Sequence, residues 1–90
     1  MTQRQQSVVD RYNRSSMTEL YEAYGKFSGK KREAWDKCKA LRYKHKGKDL
    51  KIISANRYQF SAGCTYTNDE GKKCLLYITK AGTETIPMEG

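Results

Sequence analysis

The sequence predicts a small α+β domain with two N-terminal helices packed on one face of an antiparallel meander of three to four strands. Apolar residues recur at steps of three and four between residues 17 and 46, which is typical of amphipathic helices. From Leu50 onward the spacing changes to alternation, and β-branched and aromatic residues become frequent. A chain of 90 residues suits one domain with its own core. We therefore expect a single α+β domain over residues 15–90.

The segment before this domain carries no sustained period. Residues 1–14 are polar apart from a few apolar side chains, those of Val8, Val9 and Tyr12. Terminal segments without an apolar pattern are commonly poorly ordered. We therefore expect residues 1–14 to form a flexible polar arm.

Two helices are predicted in the first half of the chain. Ser16 begins a Ser-x-x-Glu capping box, and the apolar stripe behind it predicts a first helix over residues 17–27. A second helix is predicted over residues 30–46, with Ser28 as its N-cap and Gly47 as its left-handed stop. The expected apolar face of this second helix consists of Ala34, Cys38, Leu41 and His45.

Four strands are predicted in the second half, over residues 50–54, 58–66, 73–79 and 83–88. The run Asn-Asp-Glu-Gly after the second strand favours a three-residue hairpin loop that pairs Asn68 with Lys72. That register sets Cys64 opposite Leu76, so that apolar residues of both strands share one face.

The positive charge of the chain is concentrated in one segment. The formal net charge is +8, and the window from Lys26 to Lys48 alone holds ten basic residues against Glu33 and Asp36, a surplus of eight. Concentrated charge creates a local potential that attracts polyanions or acidic protein surfaces. We therefore expect a negatively charged partner.

The binding surface is predicted on one flank of the second helix, where basic residues align with Trp35. We expect Lys39 and Arg42 to be exposed there and Trp35 to be half-buried, at the boundary between the apolar face and the flank. The competing interpretation is a core tryptophan with solvated lysines beside it. The full predicted surface consists of Lys30, Lys31, Arg32, Trp35, Lys39, Arg42, Tyr43, Lys46 and Lys48.

The sequence contains no recognisable catalytic or metal-binding constellation. The single histidine, His45, lies on the expected apolar face, and no serine stands in a nucleophile elbow or a glycine-rich phosphate loop. Cys38, Cys64 and Cys74 are an odd number and are well separated, which favours neither a disulfide framework nor a zinc knuckle. We expect three reduced, mostly buried thiols, no metal, no cofactor and no enzymatic activity.

No apolar run in the sequence is long enough to span a membrane. The polar start MTQRQQ lacks the apolar stretch of a secretion signal. We therefore expect a cytoplasmic protein with no membrane association.

The order of elements is accompanied by a resemblance, which is carried by the stretches LYEAYGKFSGKKREAWDKCKAL, LKIISANRYQFSAGCTY and LLYIT. With its aromatic pair in the first helix and the Asn-x-Tyr-x-Phe-Ser run from Asn56 to Ser61, the chain resembles small uncharacterised α+β proteins of bacterial mobile elements and phages. The resemblance covers residues 17–79 and implies a setting but no mechanism. That setting favours a nucleic-acid-binding accessory protein or a compact inhibitor of a host protein.

From the sequence we expect a basic, non-enzymatic protein that contacts the backbone of DNA or RNA through its second helix. No helix-turn-helix or other base-reading signature is recognisable, so sequence-specific readout is not expected. The alternative is a phage or mobile-element inhibitor that binds a host protein or defence complex through the same basic face. The choice between DNA, RNA and an acidic protein surface stays open, as does the oligomeric state.

Overall fold

The computed structural model describes residues 2–15, 25–55 and 58–88. These residues form helix α1 (Gln3–Arg14), helix α2 (Gly29–Lys44) and strands β1 (Lys48–Ala55), β2 (Phe60–Thr67), β3 (Lys73–Thr79) and β4 (Gly82–Pro87). The strands make one antiparallel sheet in the order β1-β2-β3-β4, so each strand pairs with its neighbour in sequence. The predicted α+β class and four-stranded meander are confirmed.

The helix predicted over residues 17–27 lies mostly outside the described residues. At its end, Gly25 and Lys26 are helical. The capping box predicted at Ser16 also lies outside the described part of the chain.

The β2–β3 hairpin has the predicted register. The Asn68 amide donates to the Lys72 carbonyl at 2.9 Å, and the Gly71 amide donates to the Asn68 carbonyl at 2.9 Å. Gly71 has a φ of +80°, the left-handed conformation that the loop requires. Cys64 faces Leu76 across the strands, as expected. The turn chemistry and the alternation of side chains therefore specify the same pairing.

The sheet separates two apolar clusters, because successive side chains of a strand point to opposite faces. The cluster between α2 and the sheet contains Trp35, Cys38, Leu50, Ile52, Phe60, Ala62, Cys64, Leu76 and Ile78. The cluster between α1 and the sheet contains Val8, Val9, Tyr12, Leu75, Tyr77 and Ile86. The sequence predicts helical packing on one face of the sheet, and α2 covers that face. Helix α1 covers the opposite face as well.

The prediction of a flexible polar arm over residues 1–14 is wrong, because α1 occupies this segment and packs on the sheet. The helix begins with a capping box, in which the Thr2 side chain accepts the Gln5 amide and the Gln5 side chain accepts the Thr2 amide. Its buried side chains are those of Val8, Val9 and Tyr12. Three apolar side chains are too few to show a period, yet they suffice once a matching sheet face supplies the packing.

Polar contacts to distant strands hold α1 at both ends. Near its start, the Arg4 guanidinium donates to both carboxylate oxygens of Glu84 at 2.9 and 3.0 Å. This bond holds the pKa of the exposed Glu84 carboxyl below its usual range. Near its end, the Tyr12 hydroxyl donates to the carbonyl of Asp49 at the start of β1. The helix is therefore fixed to both edge strands of the sheet.

The packing of α1 can be tested with two neighbouring alanine substitutions. We expect Val9→Ala to lower the free energy of unfolding by roughly 2 kcal/mol, because it removes methyl groups from a buried cluster. Ser7→Ala, at an exposed position of the same helix, should change it by less than about 0.5 kcal/mol. Urea denaturation of the three proteins measures both values. A freely moving arm would make the two substitutions equally neutral, which would contradict the packed helix.

Candidate nucleic-acid interface

Helix α2 ends in a tight turn that brings it down onto β2. The Gly47 amide donates to the Arg42 carbonyl at 2.8 Å and the Lys46 amide to the Tyr43 carbonyl at 3.2 Å, which are the two bonds of a Schellman motif. The left-handed residue is Lys46, with a φ of +55°, and not Gly47 as predicted. Gly47 is needed because a Cβ there would lie 2.7 Å from the Cys64 Sγ. The glycine permits close approach of the chain to the sheet.

The nine predicted site residues differ widely in exposure. Four of them are exposed: Lys30, Tyr43, Lys46 and Lys48. Another four are half-buried: Lys31, Arg32, Lys39 and Arg42. Trp35 is buried. Eight of the nine residues are therefore at least partly accessible to solvent, and Trp35 is not.

Trp35 belongs to the core, so its predicted position as a half-buried contact residue is wrong. Its side chain is only 2% exposed. The Phe27 and Phe60 rings lie edge-on to it, with centroid distances of 6.3 and 6.4 Å. The helical period places Trp35 at the margin of the apolar face, and Phe27, which precedes α2, packs over that margin. The interpretation as a core tryptophan is therefore the correct one.

Lys39 and Arg42 were both expected to be exposed, and both are half-buried. Arg42 and Lys31, which is also half-buried, lie within about 40° of Cys38 around the helix, on the side of α2 that faces the sheet. The positive charge of Arg42 also lies near the buried Cys64 thiol and favours its thiolate. Lys31 and Arg42 therefore lie beside the buried face of α2, apart from the other cations of the helix.

The remaining cations of α2 and its C-terminal turn form two rows, one on each side of the buried face. Row one consists of Arg32, Lys39 and Lys46, and row two consists of Lys30, Lys37 and Lys44. Seven residues are nearly two helical turns, so the members of each row that lie within α2 follow the helix axis with steps of about 10 Å, and Lys46 continues row one in the C-terminal turn. In row one, Arg32 contacts Asp36 at 3.9 Å, and the exposed ring of Tyr43 lies on the same side of the helix. The rows face different surroundings.

Row one leads into a basic depression of about 390 Å³ at the C-terminal end of α2. Its lining consists of Lys46, Lys48, Asp49, Thr65, Tyr66, Thr67, Gly71 and Lys73. Lys48 pairs with Thr65 in the sheet and Thr67 pairs with Lys73, so strand register fixes where the two lysines emerge. Asp49 is the one acid in the lining that the structure describes. The depression therefore combines three cations with three hydroxyl-bearing side chains, those of Thr65, Tyr66 and Thr67.

Lys73 was not among the predicted site residues, and a signal for it was present. The predicted hairpin register pairs the residues on either side of Asn68 and Lys72, which places Lys73 opposite Thr67. Adding Lys46 and Lys48 to that register requires knowing that α2 ends against β2, a contact between distant parts of the sequence.

The buried thiols and the histidine of the described residues are occupied by packing. Cys38, Cys64 and Cys74 are free and buried. Burial raises the pKa of Cys38 to about 12 and that of Cys64 to about 11, so their reactive thiolates are scarce near neutral pH. His45 is half-buried, and its ring centroid lies 5.4 Å from that of Tyr66.

Within residues 2–15, 25–55 and 58–88, no group of three or more His, Cys, Asp or Glu side chains is placed to hold a metal ion. The helices in the same part of the chain are too short or too polar to cross a membrane. Comparison with protein-family models, with curated proteins and with solved structures finds no match.

The burial of Trp35 can be tested by fluorescence, because it is the only tryptophan. We expect blue-shifted emission that iodide does not quench in the native protein and does quench after denaturation. Trp35→Ala should lower the free energy of unfolding by about 3–5 kcal/mol, as expected for loss of a buried indole. Native emission that is red-shifted and readily quenched would contradict the core position.

The raised thiol pKa values predict a loss of stability at alkaline pH. The ordinary thiol pKa is 9.0 and the folded values are about 12 and 11, so folding favours the protonated thiols. This contribution is complete below the unfolded pKa and is lost as pH rises through the folded values. We expect the unfolding temperature to fall less steeply from pH 9 upward in a Cys38→Ala, Cys64→Ala double variant than in the parent protein. Parallel pH profiles would contradict this assignment.

Proposed function

We propose that this protein binds nucleic acid through phosphate contacts made by row one and the basic depression. The observation that carries the proposal is continuity: the cations of row one run along α2 and join Lys48 and Lys73 at its end. Lysines act as point charges toward phosphate and carry no base specificity. We infer backbone contact without sequence readout and without a chemical step.

The dimensions of row one suit a nucleic-acid backbone. The 16 residues of α2 extend for about 24 Å. Double-stranded DNA carries one charge per about 1.7 Å of its axis, so many phosphates lie within the length of the helix. The step of about 10 Å between Arg32 and Lys39 is close to the Debye length at physiological salt, so these cations repel each other only weakly. A polyanion with closely spaced charges can engage all of them at once. The row is thus tolerated in the free protein and attractive to nucleic acid.

The proposal predicts unequal effects of equal charge changes on the two rows. We expect Lys39→Glu with Lys46→Glu to weaken binding of fluorescent DNA and RNA by at least about tenfold at low salt. The negative slope of log affinity against log salt should also become shallower by about 2, because two phosphate contacts are lost. The matched control is Lys37→Glu with Lys44→Glu in row two, which changes net charge identically and should weaken binding far less.

Fluorescence anisotropy at several salt concentrations measures these effects, and circular dichroism checks that each variant is folded. Equal losses in the two double variants would indicate attraction by net charge alone and would contradict a site on row one. Absence of binding to DNA and RNA at low salt would contradict the nucleic-acid function altogether.

Inhibition of a host protein is a second candidate function, and one observation favours it. An apolar groove lies beside row two, and phosphate contacts would leave its apolar surface unused. Such a groove is typical of surfaces that accept side chains of another protein.

A further inference from the structure

The groove lies between α2 and the turn that joins β3 to β4, and it has a volume of about 460 Å³. Its apolar lining consists of Ala34, Cys38, Leu41, Phe60 and Ile78. Ala34 and Leu41 are half-buried and form the accessible wall, while Phe60 and Ile78 are almost fully buried beneath them. An apolar side chain that enters the groove would be shielded from water on several sides.

Lysines surround this apolar surface. Lys30 and Lys37 of row two line it from the helix, and Lys80 lines it from the turn. All three are exposed, and Glu33 is the one acid in the lining that the structure describes. The rim therefore carries a positive surplus of two over an apolar interior.

The turn that presents Lys80 is short and held by hydrogen bonds. Thr79 pairs with Gly82 in the sheet, which leaves a loop of Lys80 and Ala81 only. The Thr79 hydroxyl donates to the Gly82 carbonyl at 3.2 Å and accepts the Ala81 amide at 3.2 Å. The backbone that carries Lys80 is therefore held in place before a ligand arrives, which lowers the cost of binding.

We propose that the groove binds an acidic peptide segment of a partner protein, with an apolar side chain on the Ala34 and Leu41 wall and carboxylates at the lysines. Charge complementarity at the rim selects acidic segments, and the apolar wall selects those that carry an anchor. A single-stranded nucleic acid fits less well, because base stacking needs an exposed ring and Phe60, the aromatic residue in the lining, is 2% exposed. This proposal rests on the second candidate function and is independent of the nucleic-acid proposal.

The probes for the test are two fluorescent peptides of equal charge. In one, leucine alternates with glutamate, and in the other serine replaces every leucine. We expect the leucine peptide to bind at least about tenfold more tightly, because only it can place an apolar side chain in the groove. Lys37→Glu with Lys80→Glu should weaken its binding by at least about tenfold. Row one supplies the matched control, since Lys39→Glu with Lys46→Glu makes the same charge change away from the groove and should leave peptide affinity nearly unchanged.

A second variant tests the groove without altering charge. Thr83 is exposed on β4 and lines the groove, so Thr83→Trp should fill it from outside the core and abolish the preference for leucine over serine. Unfolding temperatures close to that of the parent protein would show that the variants are folded.

Several outcomes would overturn the proposal. These are equal affinity for the two peptides, equal losses in the row-one and row-two variants, or no binding of the leucine peptide. The same variants titrated with an oligonucleotide keep the two proposals distinct. If Thr83→Trp weakened oligonucleotide binding instead, the groove would belong to a nucleic-acid surface and the peptide proposal would fail.

Discussion

Strands β2 and β3 are buried on both of their faces, and their pairing divides the interior into two cores. Alternate residues of these strands face α2 and α1. A slip of one residue in the strand register would therefore turn the side chains that face α2 toward α1, and those that face α1 toward α2. Gly63 shows how tightly this arrangement is packed on the α1 side, since a Cβ there would lie 3.1 Å from both Ile53 and Leu75. The hairpin loop at Asn68 fixes the register of β2 against β3, and the packing of both cores depends on that register.

The same constraint decides where charge can stand on α2. One face of the helix is used by Trp35 and Cys38 for the core, and half-buried Lys31 and Arg42 extend along that face at its two ends. The other cations are consequently displaced to the two sides of the helix. One side continues into the basic depression beside β2, and the other overlooks the apolar groove beside β3 and β4. A single helix thereby supplies two chemically different surfaces, and charge alone does not describe either of them.

Features set by neighbouring residues could be predicted from the sequence. The hairpin loop, the pairing of Cys64 with Leu76 and the course of α2 all follow from local turn chemistry or from a sustained period. The packing of α1 could not be predicted, because its apolar residues meet partners such as Ile86 from the far end of the chain.

The same limit applies to the candidate site. The cations of α2 and Lys48 are recognisable in the sequence, whereas the burial of Trp35 depends on Phe27 and Phe60 closing over its ring. Gly47 could be identified as a helix stop, but its closeness to the Cys64 Sγ is a contact between separate elements. The groove combines residues of α2, β2 and the β3–β4 turn, and no local pattern links them.

Every strand pairs with its neighbour in sequence, so assembly of the sheet closes only short loops and loses little chain entropy at each step. Proteins dominated by such local contacts generally fold quickly. Helix α1 is the exception, because its bond from Arg4 to Glu84 spans 80 residues and that from Tyr12 to Asp49 spans 37. We expect the sheet and α2 to form first and α1 to close over the second face last. Among the elements that the structure describes, α1 would then open most often in the native state and exchange its amide hydrogens soonest.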